Sequence, residues 1–298
     1  MKLGECMLRV VSGLALLAVL AAIGAILGVV IVEGAGALSW RMLVEAPSSD
    51  FAAGGVMPAI YGTAACTMLM TVAGVPVGVA TAIYLAEYAG RRSWFAAAVR
   101  AAVRSLAGVP SIVFGLFGLG FFVLFVGKTI DGMFYSHSAS PVFGRPAILW
   151  SSFTLAVLTL PVVIVTTEEA LHRVPRELRE ASYALGATKL TTIVRVVLPH
   201  ARAGILTGVV LAVSRGAGEV APILFTGVAN YLPRVPTDVR DGFMHLGYHV
   251  YVLATQAPDV DRARPMVFGT VLVLLVLTLA LDAAALVLRA RAQRGTRL

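Results

Sequence analysis

Apolar residues in this chain neither alternate with polar ones nor keep to one helical face. They run in six long blocks, approximately Val10–Val32, Pro58–Leu85, Ser105–Val126, Ala147–Thr167, Ala203–Phe225 and Pro265–Leu288. A helix rising about 1.5 Å per residue needs about 20 residues to cross a hydrocarbon layer about 30 Å thick, and each block is that long. Backbone amides and carbonyls cannot stay unpaired in lipid, so the blocks predict α-helices. The short alternating strands of a membrane barrel do not occur in the pattern. The first block is too long for a cleavable signal, and no small-residue cleavage pattern stands out after it. The expectation is an all-α membrane protein with six transmembrane helices, folded as a single domain over residues 1–298.

Composition narrows the class in the same direction. Hydrophobic residues make up 58% and charged residues 13% of the 298, with a mean hydropathy of +0.87. So much apolar surface cannot be hidden in a soluble chain of this size, and disordered chains are polar and charged. Two cysteines, Cys6 and Cys66, are too few for a disulfide scaffold. Cys66 lies in an apolar run and reads as a small core residue.

The net charge of +8 would point to nucleic acid in a soluble protein, but the placement of the charges gives another reason for it. With the N-terminus on the cytoplasmic side, that side collects Lys2, Arg9, the group Arg91, Arg92, Arg100 and Arg104, six basic residues between the fourth and fifth blocks, and the tail from Arg289 to Arg297. The opposite side holds Arg41, Lys128, Arg145, Arg234, Arg240, Arg262 and Arg264. This bias predicts both termini inside and a multi-pass protein of the cytoplasmic membrane. It leaves no reason to invoke nucleic acid.

The longest cytoplasmic stretch, residues 168–202, is charged and broken by Pro175, Gly186 and Pro199. Glu177–Ala184 reads as a short helix and Lys189–Val197 as a second. Gly186 lies between them, where positive φ carries no steric cost. The segment E-A-S-x-x-x-G at Glu180–Gly186, followed nine residues after the glycine by V-V-L-P at Val196–Pro199, resembles the EAA loop of ABC-importer permeases. Ser182 and Val196 depart from that pattern but conserve size. The resemblance implies that Glu180, Ala181, Gly186, Leu198 and Pro199 couple this chain to a cytoplasmic ATPase, which uses the ATP. The fold it implies is the type I, MetI-like permease. No phosphate-cradling loop is found in this chain: Gly127-Lys128-Thr129 lacks the leading glycine, which is Phe122 here.

The fifth block carries Arg215 and, four residues on, Glu219. Counted from Ala203 at about 1.5 Å per residue, Arg215 falls near mid-membrane. A charge there costs about 2.5–3.5 kcal/mol on insertion scales, so it should face protein or water. Gly216 and Gly218 clear space around it, and Pro222 removes a helix hydrogen bond. Three readings fit: a self-neutralising salt bridge, a contact to a neighbouring subunit, or a guanidinium fork for an oxyanion in transit. The segment resembles the S-R-A-I-G-E-T-A-P motif of phosphate-specific ABC permeases, with Gly216, Ala217 and Val220 as departures. GVPVGVATAIYLAEYAG (Gly74–Gly90), LAGVPSIVFGLFG (Leu106–Gly118) and LTLPVVIVTTEEAL (Leu158–Leu171) carry the same likeness. The resemblance covers about residues 10–290. It implies a heterodimer with a second permease, two copies of an ATPase, and an extracytoplasmic binding protein that delivers phosphate. Sulfate, molybdate or tungstate is the alternative cargo, and a secondary transporter the alternative class.

Other candidates read as structural. His245 and His249 are spaced i, i+4, but Leu246 stands where H-E-x-x-H needs glutamate, and two ligands are too few for zinc. They are expected on an external interfacial helix, with His172 and His200 on the surface near the loop. Asp282 is expected to reach polar surroundings at the end of the last span. Glu87 is expected at the cytoplasmic end of the second, with at most a minor share in coupling. No paired carboxylates or nucleophile–base set suits an enzyme, and no cofactor is expected on this chain.

Overall fold

The computed structural model describes residues 2–48, 54–90 and 93–294; Arg91, Arg92 and Arg297 of the basic segments lie outside the described residues. Twelve α-helices follow one another among the described residues: α1 Lys2–Ala35, α2 Trp40–Val44, α3 Met57–Ile83, α4 Trp94–Leu106, α5 Ser111–Phe117, α6 Lys128–Phe134, α7 Ile148–His172, α8 Arg176–Ala184, α9 Lys189–Thr192, α10 Leu198–Gly218, α11 Leu246–Gln256 and α12 Val260–Arg294. Isolated bridges at Pro47–Gly54 and Val228–Phe243 are the extended pairings. Six helical segments are long and apolar enough to span a bilayer: Met7–Ala35, Met57–Tyr88, Ser111–Phe134, Ile148–His172, Lys189–Gly218 and Val260–Arg291.

The fourth span, α7, is the axis of the bundle, with α3 and α10 against it. Glycines set the spacing. A Cβ at Gly74 would lie 3.2 Å from that of Ala156, and one at Gly78 would lie 2.7 Å from Val163. On the other side, a Cβ at Gly204 would come within 2.4 Å of Ala170 and one at Gly208 within 2.0 Å of the Thr166 hydroxyl. Lipid supplies no hydrophobic drive between helices, so close backbone approach and dispersion hold such a bundle together. The core between α3 and α7 contains Cys66, Met70, Leu155 and Ala156, closed by Ile223 and Phe243. Several buried threonines turn their hydroxyls to carbonyls four residues back, as Thr63 does to Ala59 (2.7 Å) and Thr154 to Trp150 (2.7 Å), whereas the buried Thr167 hydroxyl has no partner among the described residues.

α1 runs along α12 and is otherwise almost wholly exposed on this chain. At one end of that pair, Arg264 lies 3.4 Å from Glu33. At the same end of the bundle the first amides of α7 lie in a loop rather than in water. Thr226, Asp241 and Val239 offer their carbonyls to the N–H groups of Ala147, Ile148 and Leu149 at 2.8–3.0 Å. Asp131 pins the preceding loop by accepting from the backbone N–H groups of Val142, Phe143 and Gly144 at 2.7–3.0 Å.

The third and fifth spans differ from the apolar blocks that announced them. The third begins at Ser111 because Gly108 and Pro110 end α4, a separate amphipathic helix, and Pro110 caps α5. It continues through a π-helical stretch, Gly118–Gly127, into α6. The fifth stops at Gly218, and Ala221–Phe225 is a short 3-10 turn. Pro76 and Pro161 lie inside α3 and α7. Asp282 keeps one carboxylate oxygen buried without a hydrogen-bond partner among the described residues, which differs from the polar surroundings expected of it.

Replacing Gly208 with valine should destabilise the bundle by about 1–3 kcal/mol, since the added methyls must displace α7. Gly13→Val is the control, because nothing lies within 4 Å of a Cβ there. Thermal unfolding in detergent should show a lower Tm for Gly208→Val alone.

Candidate functional site

Two places concentrate polar chemistry, and α7 passes from one to the other. The first is the break in the fifth span. α10 keeps its hydrogen bonds to Gly218, and then Glu219 turns extended (φ −79°, ψ 125°) with its N–H 3.4 Å from the Gly216 carbonyl. Pro222 starts the 3-10 turn, where a missing N–H costs nothing. The turn is gripped by the third span: a Cβ at Gly115 would meet the Pro222 carbonyl at 2.9 Å, and one at Gly118 would meet the methyl of Thr226, which ends the turn, at 2.8 Å. On the opposite face of α10, Gly216 admits the Met70 side chain, whose sulfur lies 2.3 Å from where a Cβ would be. The helix is therefore clamped from two sides and stops at a fixed residue.

What remains free is one stripe. Leu211, Ser214, Arg215 and Gly218 are exposed at helical spacing, while Ala212, Val213, Gly216 and Ala217 are buried. Arg215 Nε donates to Glu219 Oε1 at a long 3.4 Å, and the two side chains remain 40% and 21% exposed. The structure thus brings together the two charges singled out in the sequence. It turns them away from this chain's own core, and no Cβ-sized obstacle stands at Gly218. Because hydrocarbon is a costly neighbour for such a pair, the exposed stripe needs protein or water beside it.

The second place is the loop between α7 and α10. α8 is almost entirely exposed, including Glu180 and Ala181. Gly186 takes φ +81° with open space around it, so only its backbone conformation selects glycine. Leu185 beside it is 89% exposed. Ser182 and Thr192 join the loop's two helices through a 2.9 Å hydroxyl contact, and Thr188 caps α9 by accepting from the Thr191 N–H. Ile193–Val197 forms a π-helical turn that leads without interruption into α10. Leu198 and Pro199 are half-buried at that junction rather than on the exposed knob. The two places are distinct sites; the geometry does not merge them.

Sequence reasoning did not find the ion pairs behind the loop. Arg179 donates to Glu87 at 2.9 Å, with both side chains largely buried. Arg100 donates to Glu168 at 2.8 Å, and His172 lies 3.7 Å from the same carboxylate. The i, i+4 spacing of Glu168 and His172 was a local signal; pairs separated by 68 and 92 positions left none.

The remaining candidates resolve locally. Gly127, Lys128 and Thr129 lie on a continuous helical path, with the Thr129 hydroxyl on the Phe125 carbonyl (2.6 Å), not in an anion-cradling loop. His172 and His200 are exposed. His245 is 1% exposed and uses Nδ1 to cap α11 by accepting from the Gly247 N–H. Burial holds the imidazoles of His245 and His249 down to about 4, so both are neutral at pH 7. They differ from the surface helix expected of them because the loop before α11 folds inward onto Gly62 and Thr63 of α3.

A helical bundle that carries a charged, broken span facing outward from its own core, and an exposed helical knob at one end, defines a membrane transport subunit. The solved structures it resembles agree on the fold. The bacterial alginate ABC transporter, in complex with its pentasaccharide-bound periplasmic protein, matches with a TM-score of 0.65 over 93% of this chain and 92% of that one, at 15% identity. The inward-facing MetNI methionine ABC transporter matches with a TM-score of 0.57 over 80% and 94%, at 19% identity. Residues 74–294 match the family described as binding-protein-dependent transport system inner membrane component, and the chain belongs to that family. Among its relatives, the phosphate transport system permease protein PstA 1 of Mycobacterium tuberculosis is 38% identical over 83% of this chain and 73% of that protein. The PstA of Mycobacterium leprae is 36% identical over 85% and 77%.

The loop geometry makes a prediction. Gly186→Val should strain the bend by about 1–2 kcal/mol, whereas Gly186→Asn should be nearly tolerated. Amide hydrogen exchange over residues 176–197 should rise in the valine variant and stay near that of the unmodified protein in the asparagine one.

Proposed function

We propose that this chain is one permease subunit of an ATP-driven importer that carries inorganic phosphate across the cytoplasmic membrane, with both termini on the cytoplasmic side. The observation that carries the reading is the Arg215–Glu219 pair, set at the helix break that ends the fifth span and open on one side. The relatives that transport phosphate, at 36–38% identity, support the choice of cargo. A second permease of similar fold lines the other side of the pathway and keeps lipid from the pair. Of two copies of a cytoplasmic ATPase, one docks on this chain's exposed loop through Glu180, Ala181, Leu185 and Gly186 and the other on the partner permease, while Leu198 and Pro199 anchor the loop to α10. A binding protein on the opposite side delivers the anion.

The chemistry follows from charge and protonation. When the pathway is empty, Glu219 holds the Arg215 guanidinium by one long bond. An arriving phosphate oxygen competes for that fork, which binds tetrahedral oxyanions through two parallel N–H donors. Glu219 is then released to accept a hydrogen bond from the P–OH group that a protonated phosphate still carries. Sulfate is fully ionised at neutral pH and has no such proton, so the carboxylate repels it. ATP binding and hydrolysis on the partner ATPase supply the free energy. This chain contributes two conformations whose relative stability the ATPase shifts.

Uptake of radiolabelled phosphate into proteoliposomes holding the whole complex tests the reading. Uptake should require ATP, and persistence without nucleotide would favour a secondary transporter. Arg215→Gln should abolish uptake, and Arg215→Lys should leave a small fraction, because a point charge cannot replace a planar fork. Phosphate transport in Arg215→Gln equal to that of the unmodified complex would return the pair to a structural role. Glu219→Gln should narrow the preference for phosphate over sulfate.

A further inference from the structure

α8, the helix that carries Glu180 and Ala181, is held to the bundle by very little packing. Leu178 is half-buried against the cluster of Leu171, Val174 and Val197, and the rest of the helix is mainly exposed. The covalent link to α7 is a short turn ending in Pro175. Between α8, the end of α3 and α4 lies a cavity of about 610 Å³, lined among others by Glu87, Arg100, Arg176, Arg179 and Tyr183. Side-chain packing across that space is therefore not what fixes α8 in place.

One guanidinium bridges the gap. Arg179 donates from Nη1 to the Val174 carbonyl (2.6 Å) and from Nη2 to the Leu171 carbonyl (2.8 Å) and Glu87 Oε1 (2.9 Å). Leu171 is in the last turn of α7, where its carbonyl also accepts from the Val174 N–H (3.3 Å), and Val174 lies in the turn that links α7 to α8. Glu87 lies on a π-helical turn, Tyr84–Tyr88, at the end of α3. In that turn the Ala89 N–H reaches back to the Tyr84 carbonyl. The Leu85 carbonyl is thereby left for Arg100, which donates to it at 2.8 Å and to Glu168 on α7 at 2.8 Å. Two arginines thus tie the ends of the second and fourth spans together, and Arg179 alone extends the tie to α8. Only a planar, multiply donating group can serve three acceptors in this way.

We propose that Arg179 is a positioning residue that fastens α8 to the ends of α3 and α7, so that a displacement of α8 moves those spans instead of swivelling about Pro175. The inference rests on the transport reading above and adds the residue through which the loop acts. Without the fork, α8 still presents Glu180 and Leu185 to the ATPase, but its motion is lost in the turn.

The test uses the complete complex in proteoliposomes, with ATP hydrolysis and phosphate uptake measured on the same vesicles. In Arg179→Gln, the ATPase should still co-purify and hydrolyse ATP at a rate within about two-fold of the unmodified complex, while phosphate taken up per ATP falls about ten-fold. Arg179→Lys, which keeps the charge but not the fork, should give an intermediate ratio. Glu87→Gln removes the charge and keeps an acceptor; it should lower the ratio less than Arg179→Gln while leaving assembly intact. An unchanged uptake-to-hydrolysis ratio in Arg179→Gln overturns the proposal. So does loss of co-purification in Arg179→Gln combined with an unchanged ratio in Glu87→Gln, since Arg179 would then serve only folding or docking. An unmodified complex without ATP-dependent phosphate uptake would sink the transport reading itself, a result distinct from either of these.

Discussion

A guanidinium in the last turn of a membrane span, and the carboxylate just past it, must be kept from hydrocarbon, and much of the structure around α10 answers to that constraint. Burying them in this chain's own core would have required desolvating both charges. Instead the helix stops beneath Glu219, the buried face of α10 is given to small residues, and the charged stripe opens on the other side. Gly216 lets Met70 lie flush against the backbone, so the buried face can be tight while the open face stays polar. The turn after the break is held at both ends, because the third span closes on Pro222 through Gly115 and on Thr226 through Gly118. The pair is thus joined by one long bond at its side chains and held firmly at its backbone, which suits an ion that must be held briefly and then released.

The same helix that supports the break also reaches the loop. α7 meets α10 at Thr166 and Ala170 through glycine contacts, and its last turns carry Glu168, Leu171 and Val174, where the two arginines attach. A continuous rigid element therefore connects the exposed knob to the charged stripe. Contiguity of this kind is a route for force between the two places. It also separates labour within the chain: the knob is polar, exposed and joined by few contacts, whereas the spans are apolar and packed by close backbone approach.

The π-helical turns lie where these functions change over. One ends α3 at Glu87, one leads from the loop into α10, and one runs through the third span. An i→i+5 turn shifts the register of the side chains and frees a carbonyl, and at Leu85 the freed acceptor is taken by Arg100. Such turns cannot be seen in a hydropathy pattern, because the residues in them are as apolar as their neighbours.

Six apolar blocks, the bend at Gly186, the clustering of basic residues and the Arg215–Glu219 spacing were legible along the chain, because bilayer thickness and helical period are local constraints that each segment must satisfy by itself. The family likeness was legible for the same reason, in short motifs of fixed spacing. Tertiary structure decided where α10 stops, since Gly115 and Gly118 on another span grip the turn. It decided that His245 is buried and His249 half-buried, since the loop before α11 folds onto α3. It also decided that Arg179 finds Glu87, 92 positions away. Each of these depends on which distant backbone comes close, and nothing in the local sequence encodes that distance.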